Sequence, residues 1–187
     1  VSGGDFFEID TDSLERVGGE LGATARQVGL ALARALTRTA ATLRRKSERG
    51  LRTELELRAL KFLRLRLKSL RMKRTRGWQG GDVSIWYGLN PMPVGEFKGK
   101  PMRNDAGASF RGTQFPGGFV GRNKRRQPTV FKRRGGGRLP IEEQTLEVQD
   151  RMQVFLEDRI FQDVENIFWE HFKKDLAARV KYKLGEQ

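Results

Sequence analysis

Apolar residues at Leu14, Val17, Leu21, Val28, Leu32, Leu36 and Leu43 recur at steps of three, four and seven, the spacing that gathers side chains on one helical face. The stretch from Asp12 to Arg49 is therefore predicted as one long amphipathic helix. Thr11, Asp12 or Ser13 can accept the free N–H groups of its first turn, and Asp12 with Glu15 has capping-box spacing. Gly18, Gly19, Gly22 and Gly29 each weaken such a helix by about 1 kcal/mol relative to alanine. Either close packing against another element or chain offsets that cost, or the first third of the helix frays or bends.

From Leu51 to Arg76 the pattern is double. Leu60, Leu63, Leu67 and Leu70 fit a helix, while Leu63, Leu65 and Leu67 alternate as in a strand. Length, leucine and arginine richness, and the lack of a turn signal before Gly77 favour a second helix after a break near Gly50. Period alone leaves helix or strand open over 60–70. The polar face is almost all arginine and lysine, and is expected to meet water, acidic protein or phosphate, because stripping like charges of solvent is costly.

At Gly77 the composition turns to glycine, proline and aromatics, with apolar runs of strand length. Predicted strands are DVSIWYGL, ending at the Asn90-Pro91 turn, then Ala106 to Phe110, Gly117 to Gly121 and Thr129 to Arg133. Gly95 to Asp105 and Gly121 to Gln127 read as exposed loops. The last segment, Glu143 to Leu184, is predicted helical on the stripe Val148, Met152, Leu156, Ile160, Val164, Ile167, Phe168, Phe172, Leu176 and Val180. A second stripe, Phe155, Phe161 and Trp169 with Tyr182, widens the apolar face. Either the chain's own N-terminal helices cover it, or Phe155, Phe161, Trp169 and Phe172 serve an oligomer interface.

The organisation expected is a helical region over 1–76, a β region over 77–141 and a terminal helix over 142–187, within a single globular domain of 187 residues. The fold class is α+β, with long helices at both ends packed on a small, mainly antiparallel sheet, since the middle connections are too short for helical crossovers. No run is apolar and long enough to span a membrane, and no basic-then-apolar leader is readable, so the cytoplasm is the expected compartment.

Charge adds a partner class. The 37 basic and 23 acidic residues leave a net +14, a field that favours polyanions or acidic protein surfaces. From Glu142 onward acids outnumber bases 11 to 7, so the excess lies upstream. It concentrates in eight basic residues from Arg122 to Arg138 with no acid among them. Arg122, Lys124, Arg125, Arg126, Lys132, Arg133 and Arg134 are the candidate contacts to DNA or a partner.

Catalytic chemistry finds little material. There is no cysteine and one histidine, His171, which removes disulfides, thiolate metal sites and histidine relays. The Gly135-Gly136-Gly137 triplet lacks the spacing of a phosphate-binding loop, and Glu142 and Glu143 read as first-turn residues of the terminal helix. No enzyme, cofactor or metal is expected.

Three segments carry a resemblance: DVSIWYGLNPMPV at 82–94, FPGGFVG at 115–121 and TVFKRRGGGRLPIEE at 129–143. In order and spacing they resemble the phage minor tail protein Z family, and with the flanking helices the resemblance covers most of the chain. It implies a non-enzymatic virion component made in the host cytoplasm, a minor tail or tail-completion (neck) protein that forms a ring, of six subunits in the usual tail symmetry, at the head–tail junction. It implies as neighbours the tail terminator, the tail tube or a head-completion protein, with the genome passing through, and no membrane. Gly88, Pro91, Gly118, Phe119, Arg138, Leu139 and Pro140, which stand in these motifs, read as turn and packing determinants. The leucine and arginine density from Leu51 to Met72 and the long loop after Val94 depart from the family pattern. The rival from another class is a free-standing basic nucleic-acid-binding protein.

Overall fold

The computed structural model describes residues 10–69, 85–135 and 137–186. Its elements run α1 (Thr11–Glu20), α2 (Ala25–Glu54), α3 (Leu60–Arg66), β1 (Leu67–Ser69), β2 (Ile85–Tyr87), β3 (Met92–Pro93), β4 (Met102–Asn104), β5 (Gly107–Phe110), β6 (Thr113–Pro116), β7 (Gly118–Arg122), β8 (Pro128–Arg133), β9 (Ile141–Glu143), β10 (Thr145–Leu146), α4 (Gln149–Arg159) and α5 (Val164–Lys181). Every strand pair is antiparallel, and the class is α+β as expected. Where a single domain was expected, the chain divides into two compact units, one of Val1–Ser47, Leu67–Tyr87 and Leu156–Gln187, the other of Glu48–Arg66 and Gly88–Phe155.

In the first unit the predicted N-terminal helix is two helices. Asp10, one residue ahead of the expected caps, closes α1: its carboxylate accepts from the N–H groups of Asp12 and Ser13 at 3.1 and 3.2 Å. The Ser13 hydroxyl, then the Asp12 amide, hold that carboxyl below its ordinary range. Gly22 takes φ +65 and breaks the helix, as the Ala23 amide reaches back to the Gly18 carbonyl at 2.9 Å. A new capping box then starts α2: the Gln27 amide donates to Thr24 Oγ1, and the Thr24 amide to Gln27 Oε1. Leu14, Val17, Val28, Ala31, Leu32, Ala35, Phe168, Phe172 and Leu176 bury one core. A Cβ on Gly18 would stand 2.7 Å from a Val28 methyl, so this glycine lets α1 close on α2 within the chain.

Two residues of the second stripe, Trp169 and Phe161, pack in the same unit, while Tyr182 is exposed. Trp169 meets the rings of Phe168 and Phe172 edge-on at 5.4 and 5.7 Å, and Phe161 meets Tyr87 at 5.8 Å. Tyr87, on β2, shares a 3.1 Å hydrogen bond with Ser47, and burial raises its phenol above the ordinary range. His171 is half-buried with Nε2 3.1 Å from the Thr42 hydroxyl.

In the second unit α2 runs through Gly50 to Glu54, so the break falls at 55–59 and not at Gly50. The open stretch at 60–70 is both things: a short helix to Arg66, then strand β1. Arg58 and Arg66 turn their guanidinium groups onto backbone carbonyls, against the expectation of a wholly outward basic face. Arg66 donates to the carbonyls of Gly88, Asn90 and Pro91, and Arg58 to that of Gly99. A guanidinium has five donors, enough to saturate a turn that offers only acceptors.

The region 142–187 is corrected at its start. Glu142 and Glu143 lie on β9, paired with Lys132 and Phe131, because the free edge of β8 and its cations take the acids as a strand. The long helix is two, α4 and α5, with a 3-10 turn at Phe161–Asp163 between them. Strands β4, β6, β9 and the short β3–β10 pair extend the four predicted ones. The predicted loop at 95–105 holds part of a 3-10 turn and β4. Trp78, Leu70, Met72 and the 82–84 end of the first predicted strand lie outside the described residues.

Gly107 takes φ +139, and a Cβ there would come within 2.6 Å of the Phe115 carbonyl and 2.8 Å of the Gly117 and Gly118 amides. The backbone blocks it on three sides. Gly107→Ala is expected to cost at least about 2 kcal/mol of unfolding free energy; urea titration checks this, and an unchanged midpoint would show that β5 does not need this approach.

Candidate functional site

The basic cluster maps onto the three-stranded sheet β7–β8–β9 and its two turns. The β7–β8 turn is built by Asn123, whose Oδ1 accepts from the Arg125 and Gln127 amides at 3.0 and 3.1 Å. The Arg126 amide reaches the Asn123 carbonyl at 2.8 Å, and Arg126 takes φ +60. Arg122 donates to the Arg126 carbonyl at 2.9 Å. What read as a loop is thus a hairpin tip held by side chain and backbone.

The seven candidate cations divide by what they touch. Arg125 is structural: its Nη1 donates at 2.7 Å to Oε1 of Glu96, a buried carboxylate in the 3-10 turn Val94–Glu96. Glu96 Oε2 and Thr129 Oγ1 are buried without a hydrogen-bond partner. Gly95 brings that turn onto the hairpin, since a Cβ would stand 2.6 Å from Asn123 Nδ2 and 2.8 Å from Glu143 Oε1. Arg134 pairs with Glu142 at 3.3 Å, and its amide donates to the Pro140 carbonyl. Arg133 lies over the Phe119 ring at 5.9 Å. Lys124 and Arg126 are exposed at the tip and Lys132 on the strand; none of the three side chains has an ion-pair partner among the described residues.

The motif residues fall into two groups. Gly88 is buried, with its amide on the Arg66 carbonyl at 2.8 Å, and Pro91 offers its carbonyl to Arg66. Gly118 leaves room for Phe115 and Val130, both within about 3 Å of where a Cβ would sit. These three sit at turn and packing positions. Leu139 is 72% exposed and Phe119 36%, and Arg138 is exposed, so these three present surface and do not fill a core. Pro140 is exposed but anchors Arg134 through its carbonyl.

Of the proposed interface residues, Phe172 is buried in the first unit's core and has no surface to offer a neighbour. Phe155, Phe161 and Trp169 are half-buried. The sequence reading missed Glu96 and Asn123, which organise the site. The Asn-x-x-x-Gln stretch beside a basic run was the available signal for Asn123; Glu96 had none.

No group of three or more His, Asp or Glu among the described residues is placed to hold a metal, and none of their helices is long and apolar enough to cross a membrane. Comparison with known protein families, curated proteins and solved structures finds no match to this chain.

Proposed function

We propose that this chain is a structural subunit of a tailed-phage particle, a minor tail or tail-completion (neck) protein that forms a ring, of six copies, at the head–tail junction around the path of the genome. The observation that carries the reading is where the three resembling segments lie. Residues 88–94 lead through the Arg66-pinned turn to the 3-10 turn on β8, 115–121 form the β6–β7 corner, and 129–143 form β8, its turn and β9. The described residues of 88–94, 115–121 and 129–143 belong to one β unit, while 85–87 form β2 in the other; the shared unit supports treating these three stretches as one inherited motif. The non-enzymatic role, the virion location and the neighbours (tail terminator, tail tube or head-completion protein) follow from the same reading.

The exposed cations Lys124, Arg126, Lys132 and Arg138 favour a second reading, a free-standing nucleic-acid-binding protein. Light scattering on the purified chain at low and high salt, with negative-stain images, separates the two. Rings of several subunits that persist in salt support the tail component. A monomer at both salts that binds DNA tightly only at low salt overturns it in favour of the second reading. Basic residues for particle assays are best taken as Lys124, Arg126, Lys132 and Arg138. Reversing Arg125 would set an acid against buried Glu96 and confound partner loss with misfolding.

A further inference from the structure

Half of one face of the β7–β8–β9 sheet is open. Side chains alternate along a strand and cross-strand partners share a face, so Thr129, Phe131 and Arg133 of β8 lie together with Phe119 of β7 and with Glu143 and Ile141 of β9. The Val94–Glu96 turn covers the Thr129 end, where the Gly95 position lies 3.3 Å from Thr129 Cβ. The opposite side of the sheet packs Gly118 and Val130 against Phe115. What remains uncovered is Phe119, 36% exposed beside Phe131 at 6.0 Å, and Ile141, 41% exposed. Arg133, opposite Ile141 in the register, stands at its margin, and Arg138 is exposed on the segment that joins β8 to β9.

A surface of complementary character lies on α4. Asp150, Gln153, Val154, Glu157 and Asp158 follow the i, i+3, i+4, i+7, i+8 spacing of one helical face, and all five are exposed. Val154, 56% exposed, sits among the acids. Arg159 falls on the far side of the helix from this stripe, while Arg151, three residues before Val154 and seven before Asp158, borders it with its guanidinium held by Glu54 at 2.8 Å.

We propose that these surfaces are the two sides of one head-to-tail contact between copies of this chain. The Phe119–Ile141 half-face of one copy takes the Val154 stripe of a second, with Arg133 and Arg138 against Asp150 and Asp158. Aliphatic Ile141 gains nothing from a phosphate or a stacked base, whereas an apolar centre with a charged rim is what a protein partner needs. The two surfaces differ, so the contact is heterologous and propagates until it closes a ring. Half a sheet face against three helical turns is smaller than the roughly 800 Å² per partner of a stable pair. Each contact is therefore weak alone and gains from closure. This rests on the ring reading above and supplies its seam.

The chain has no cysteine, so single introduced cysteines report the contact directly. Full-length Ile141→Cys and Val154→Cys are made separately, mixed at high concentration and mildly oxidised. The mixed disulfide dimer is expected in about tenfold excess over either variant's own dimer. Adding Arg133→Glu with Arg138→Glu to the first chain, or Asp150→Lys with Asp158→Lys to the second, removes that excess, and combining both reversals restores it. Urea midpoints confirm that each variant is folded. Equal cross-linking of mixed and single samples, or no restoration, overturns the proposal. No mixed product while the parent chain forms rings overturns this seam and leaves the ring reading standing; a mixed product without rings supports the seam and overturns the ring. A fluorescein-labelled single-stranded oligonucleotide whose binding is lost on Arg133→Glu with Arg138→Glu, without cross-linking, assigns the face to nucleic acid and also overturns the proposal.

Discussion

Phe172→Ala is expected to lower the unfolding free energy by about 3–5 kcal/mol, the range for emptying an aromatic site in a packed core. Phe172 is fully buried, stacked on Phe168 at 5.8 Å, and touched edge-on by Trp169. Truncation removes one ring's transfer energy and one side of two aromatic contacts, and the helical backbone around it leaves little room for collapse. A chemical denaturation curve measures the loss. A cost under about 1 kcal/mol would mean the site refills, and that the ring is not central to the core.

Asp175→Asn is expected to cost about 3 kcal/mol or more, through charge and not volume. The Asp175 carboxylate is buried and accepts from Arg179 Nε at 2.7 Å, with Arg34 Nε at 3.5 Å and Arg38 Nη1 at 4.0 Å. The two longer partners are roughly half exposed and contribute little in water. Arg179 is largely buried, and the amide would leave its charge without an anion. Replacing Arg179 by methionine in the Asp175→Asn background should recover part of the loss. If the double variant is no more stable than the single, the cost lies in packing and not in an orphaned cation.

Apolar spacing made the helical stripes legible from the sequence. Met152, Leu156, Ile160, Val164, Phe168, Phe172 and Leu176 are all buried as their four-residue steps predicted. Helix ends were not legible to the same degree, because they depend on single side chains. The Thr24–Gln27 capping box was present as a pattern and was passed over, and Asp10 won the first cap by reaching two amides at once. Strand β9 escaped because Glu142 and Glu143 carry no strand propensity of their own. They are strand only because β8 offers an edge and Lys132 opposite Glu142. At the candidate site, charge density marked the stretch that folds as the β7–β8 hairpin. Composition gave no sign that Arg125 is committed to Glu96 and Arg134 to Glu142, since a cation's partner is set by the fold around it.

The core of the first unit joins Leu14 and Val17 to Phe168, Phe172 and Leu176, partners separated by about 150 positions in the chain. Synthesis is vectorial, so α1 and α2 leave the ribosome long before the aromatic side of their core exists. Until α5 emerges, the leucine stripe of α2 has only the α1 side of its core to meet and is open to chaperones or to other nascent chains. A ribosome stalled anywhere before Phe168 therefore releases a product with this core unfinished.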